Sequence, residues 1–125
     1  MGAESESQVA NNIAFQAMGK TYHANAAVTS QTITVTPDSP CNQLLVSSHE
    51  SSSSSKAVYF VVSNDANVTV TAPTNGSPQY CLLAIPNTAI VYTIPGQFSP
   101  TKPMYIAFIS ETDNPECYFT PGEGL

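Results

Sequence analysis

Turn chemistry recurs along this chain at roughly eight- to twelve-residue intervals, and that spacing limits it to short strands. The breaks are Pro37-Asp-Ser-Pro40, Asn64-Asp65, Pro73-Thr-Asn-Gly-Ser-Pro78, Pro86-Asn87, Pro95-Gly96, Ser99-Pro100 and Asp113-Asn-Pro115. Ten prolines fix φ and remove backbone donors, so each would break a helix. No window of about eleven residues carries a helical stripe. Between the breaks the period is two. Thr32-Ile-Thr-Val-Thr36 sets Ile33 and Val35 on one face, and Asn67-Val-Thr-Val-Thr71 repeats the device with Val68 and Val70. The runs 57–62, 88–94 and 104–109 are rich in β-branched and aromatic residues and almost continuously apolar, as in strands covered on both faces. Shorter candidates are 13–17, 22–28, 43–47, 80–85 and 117–120. The expectation is a single all-β domain: a two-layer β-sandwich of about eight to ten short strands, jelly-roll or immunoglobulin-like, with its strand order open.

A chain of 125 residues, 42% of them hydrophobic, can build one core without a metal or a disulfide framework. Charge is scarce, at 10% against an average near 25%. A surface of Ser, Thr, Asn, Gln and apolar groups loses little on desolvation, which suits it to being covered by neighbours. The formal net charge is −6. The basic residues Lys20, Lys56 and Lys102 stand apart and make no basic stripe, which argues against nucleic acid and anionic membranes as partners. The longest apolar run, 57–62, falls far short of the ~20 residues of a membrane helix. Met1 to Asn11 lacks both a basic start and an apolar centre, so it does not read as a signal peptide, and folding in a cytoplasm is expected. Residues 1–11 are expected to form a flexible arm and residues 12–125 the sandwich. Within the sandwich, 47–55 reads as a Ser-rich loop and 120–125 as an extended C-terminal tail able to latch onto neighbours.

Catalytic groupings are not legible. Cys41, Cys81 and Cys117 form no C-x-x-C pair and read as three free thiols acting as small hydrophobes, with a Cys81–Cys117 bridge left open. His23 and His49 lie far apart and form no H-x-H or H-E-x-x-H pair. The carboxylates fall mainly in the N-terminal arm, the turns and the C-terminal tail, without the strand-borne pair that glycoside hydrolysis requires. Phosphate-binding and nucleophile-elbow motifs are absent from the sequence. The expectation is therefore a non-enzyme with no catalytic residues, no metal ligands and no cofactor site. A small enzyme would need His23 or His49 beside a cysteine or carboxylate in a pocket. A glycan-binding module would need exposed aromatics clustered in a groove or on the serine loop. Tyr22, Tyr59, Phe60, Tyr80, Tyr92, Tyr105, Phe108, Tyr118 and Phe119 mostly read as strand packing.

Four strings carry a resemblance: 12–22 (NIAFQAMGKTY), 40–43 (PCNQ), 97–100 (QFSP) and 117–125 (CYFTPGEGL). Together they resemble small, charge-poor, all-β virion proteins of tailed bacteriophages. The resemblance implies a structural part of the particle, foremost a capsid decoration (cement) protein that binds and stabilises the shell, otherwise a tail or head–tail connector component. It implies major capsid protein or other virion proteins as partners, a homo-oligomer, and location in the virion after assembly in the host cytoplasm. It transfers no catalytic residues.

Overall fold

The computed structural model describes residues 14–49, 57–112 and 115–124. The expected arm at 1–11 and most of the serine run lie outside the described residues. Nine strands follow in chain order: β1 (Gln16–Ala17), β2 (Tyr22–Asn25), β3 (Gln31–Val35), β4 (Cys41–His49), β5 (Val58–Ser63), β6 (Leu82–Ala84), β7 (Thr88–Phe98), β8 (Met104–Ser110) and β9 (Glu116–Glu123). They form two antiparallel sheets. Sheet A runs β1-β9-β4-β7, with β2 sharing the β9 edge beside β1, and sheet B runs β3-β8-β5-β6.

The strand order settles the alternative left open above. β2 pairs β9, β3 pairs β8, β4 pairs β7 and β5 pairs β6. Each later pair is nested inside the one before it. The chain is thus one long hairpin that goes out along β2 to β5 and returns along β6 to β9. Rolling that hairpin brings β9 against β4 and β8 against β5, and this is the eight-strand jelly roll. Its tip is the 64–81 connection between β5 and β6.

Alternation along the strands builds the core. On β4, Leu44 and Val46 point inward, and on β5, Val58, Phe60 and Val62 do so. Met104, Ile106 and Phe108 add the inner face of β8, and Cys117 and Phe119 that of β9. The Phe119 ring meets Phe60 at 6.0 Å and Phe108 at 6.1 Å, joining the two layers. At the opposite side, Tyr92 of β7 packs edge-on against Phe60 at 5.3 Å.

Three expectations are revised. The segment 67–71 alternates as expected, with Val70 buried and Thr69 and Thr71 exposed, but it joins no ladder. Side-chain hydroxyls tether it instead: Thr32 Oγ1 donates to the Val68 carbonyl (3.2 Å), and the Val70 N–H donates to Ser30 Oγ (3.2 Å). Thr32 lies in one cross-strand row with Ala107 and Val61, so this strap crosses the outer face of sheet B, where Ala107 is buried. Second, Ser47, Ser48 and His49 belong to β4 and not to a loop: Ser47 and Ser48 pair with both β7 and β9, and His49 pairs with β9. Third, Thr120 to Glu123 is not a free tail. It continues β9 between β4 and β1, and Thr120, Pro121 and Gly122 are buried.

A proline inside a strand paired on both sides needs an explanation. The Pro121 carbonyl accepts the Met18 N–H (2.8 Å), so the ring nitrogen faces the same side. There the ladder is interrupted between β1 and β2, at residues 18–21. The missing donor falls in that gap, against Gly19, where a Cβ would stand 2.9 Å from Pro121 Cγ. Pro95 and Gly96 are accommodated differently. Cys41 faces Phe98 while Gln43 faces Thr93, so β7 carries extra residues as a bulge, with Gly96 at φ 78°.

Candidate functional site

Two places on this scaffold gather chemistry. The first is the outer face of sheet A at the end where its loops meet. The Ala26 N–H bonds the Pro115 carbonyl, Asn87 bonds Ser48 and Ser110 bonds Ala27, at 2.9, 2.6 and 2.8 Å. Beside them the β2–β9 and β4–β9 registers set two cross-strand rows: His23, Tyr118 and Ser47, then Asn25, Glu116 and His49.

The rows converge on Tyr118. Its ring stacks on His23 at 4.8 Å and meets His49 edge-on at 5.5 Å. Its hydroxyl donates to Glu116 Oε1 (3.2 Å), which also lies 3.5 Å from His23 Nε2. Ser47 Oγ stands 2.7 Å from His49 Nε2. The fold therefore brings His23 and His49 to one place, which their sequence separation did not reveal. The Ser47 and His49 half is readable only once 47–49 is known to be strand and not loop, since residues two apart on a strand share a face. The His23 and Tyr118 half depends on the β2–β9 register and is not.

What this cluster can do follows from its geometry. Tyr118 separates the two imidazoles, so they do not converge on one ion, and no metal-holding group of three or more His, Cys, Asp or Glu occurs among the described residues. A serine beside a histidine is the first element of an activated nucleophile. Here the pair is exposed on an open sheet face, and the described cavities are lined by other residues. The cluster is an exposed platform of two imidazoles and a phenol, suited to stacking and hydrogen bonding.

The second place is the side of the sandwich where β6 ends sheet B and β7 ends sheet A. Residues 66–101 contain no Asp, Glu, Lys, Arg or His, and from Tyr80 to Ile94 they build this side. Tyr80 is 98% exposed, and Leu82, Leu83 and Ile85 are 37, 41 and 42% exposed. A cavity of about 280 Å³ opens beside them, lined by Phe60, Val62, Tyr80, Cys81, Leu82 and Thr93 among others. The Tyr92 hydroxyl donates to the Leu83 carbonyl, tying the two sheet edges together. The expectation of strand packing for most of the aromatics does not extend to Tyr80. It is instead the most exposed large hydrophobic side chain among those described, because β6 begins only at Leu82.

Cys81 lines the cavity of the second site, and Cys41 and Cys117 belong to neither. All three are free, which answers the open question of a Cys81–Cys117 bridge. Burial, helped by the Glu123 carboxylate, pushes Cys41 up to about 11, and burial pushes Cys117 up to about 11. Above about pH 9 the unfolded chain loses these protons while the folded one keeps them, so stability is expected to fall from there to about pH 11. Denaturant midpoints measured from pH 8 to 11 check this, and a rising midpoint would contradict it. An aromatic disulfide reagent at pH 8 is expected to label Cys81 first.

Comparison with known proteins gives no matching family model, no matching curated protein and no matching solved structure.

Proposed function

We propose that this chain is a structural virion protein, a capsid decoration protein that binds and stabilises the shell of a tailed phage. The observation that carries the reading is the apolar side built by residues 80–94, a stretch without a charged residue, with Tyr80, Leu82, Leu83 and Ile85 in the open. A protein left alone in water blunts such edges with charge. One whose neighbours cover it does not. The jelly-roll order is shared by capsid proteins, lectins and cupins, so it leaves several classes standing and composition chooses among them. Charge scarcity and the phage-like strings at 12–22 and 117–125 favour the particle.

A second reading rests on the Tyr118 platform. Two exposed imidazoles flanking a phenol, with the Glu116 carboxylate beside them, offer stacking and hydrogen bonding to a sugar ring, as in a host-surface glycan-binding module.

Co-sedimentation with empty shells and with isolated tails separates these readings. Saturable binding to shells is the expected result, and its plateau gives the copy number. Binding to tails alone would move the protein to a tail or connector role. Binding to neither would overturn the virion reading, and a glycan screen comparing the wild type with Tyr118→Ala would then test the second.

A further inference from the structure

We infer that the β7 edge is a two-fold interface at which a second copy of this chain continues sheet A by antiparallel β7–β7 pairing. This goes beyond the decoration role and does not depend on it. Among the described residues, β7 pairs only with β4, so its other edge presents unpaired N–H and C=O groups. It runs from Thr88 to Ile94 without a charge, a proline or a glycine, the devices that ordinarily prevent edge-to-edge pairing. An edge of this kind accepts another strand.

The occupant follows from charge. A body of net charge −6 repels its own copy wherever acidic groups face each other. The 80–94 stretch at this edge holds none, so its side is where two copies approach without that repulsion. It also offers no charge by which a basic or acidic partner would be recognised. A two-fold contact sets the same patch against itself, and an antiparallel ladder is a contact that a strand can make with its own copy.

The register follows from the alternation. Tyr92 packs into the core against Phe60, which turns Ile90 and Ile94 inward with it and leaves Ala89, Val91 and Thr93 on the outer face. Ala89 and Thr93 are exposed, and Val91 is half-buried. Centring the two-fold on Val91 sets it against its own copy and places Ala89 of one chain opposite Thr93 of the other.

The pairing makes opposite demands on two double variants. In A89K/T93K each new lysine faces a lysine of the other copy, and like charges directly opposite destabilise a ladder. In A89K/T93E each lysine faces a glutamate. Sedimentation velocity of the full chain over a range of concentrations, with far-ultraviolet circular dichroism to confirm folding, gives the test. The expected result is a dimer for the wild type, dimerisation at least about 100-fold weaker for A89K/T93K, and recovery of the dimer for A89K/T93E. A wild type that stays monomeric at high concentration would overturn the inference, as would a dimer indifferent to A89K/T93K. An A89K/T93E variant as dissociated as A89K/T93K would overturn the antiparallel register. Shell binding by a monomeric protein would overturn this interface and leave the decoration role standing.

Discussion

Replacing Phe119 by alanine is expected to lower the stability of the domain by about 3–5 kcal/mol, equivalent to a drop in Tm of roughly 10–20 °C for a chain of this size. Phe119 is fully buried on β9, the strand that β4 holds on one side and β1 and β2 on the other. Its ring touches Phe60 and Phe108, both from sheet B. Removing it opens a void between the layers that neither ring fills without leaving its own place, because β5 and β8 are held by pairing with each other. Denaturant unfolding with an unchanged m-value checks the figure. Tyr80→Ala is the control: its side chain is almost wholly exposed, and the change should stay within about 0.5 kcal/mol. A loss below about 1 kcal/mol for Phe119→Ala would contradict the packing of the two sheets on this ring.

The second large effect is expected at Gly122. A Cβ there would run into the Phe15 ring and lie 2.7 Å from the Gln16 carbonyl oxygen. The side chain can move. The carbonyl cannot, because Gln16 and Ala17 are the whole of β1 and pair with Glu123 and Gly122. Gly122→Ala should therefore displace β1 from the sheet, at a cost of about 1–3 kcal/mol. Faster amide hydrogen exchange at Ala17 and Glu123, with the β4–β7 ladder unchanged, is the local signature. Adding Phe15→Ala should restore only part of the loss. Full restoration would mean that the ring alone, and not the close backbone approach, requires glycine here.

Gly122 also shows where local signals mislead. Thr-Pro-Gly at 120–122 has the chemistry of a turn, and near the end of a chain it reads as a tail. In the fold it runs through the centre of sheet A, because Pro121 aims its missing donor at the break between β1 and β2. No local property of the three residues carries that information. It depends on partners a hundred residues earlier.

The sequence by itself determined the all-β class, the two layers and the position of most strands. Alternation is a local property: Ile33 and Val35, or Val58, Phe60 and Val62, sort to one face whatever lies across from them. Turn residues bound the runs for equally local reasons. It did not determine strand order, since many pairings bury the same alternating faces and only the rolled hairpin of β2 to β9 satisfies them together. Nor did it show that 67–71, with a strand's pattern, is a strap held by Thr32 and Ser30. The sites were decided entirely by tertiary structure. His23 meets Tyr118 through the β2–β9 register, and His49 through β4–β9. The charge-free residues 80–94 become a surface only because β6 and β7 end their sheets on the same side. Periodicity records which way a side chain points, while register and edge position depend on segments far away in the chain.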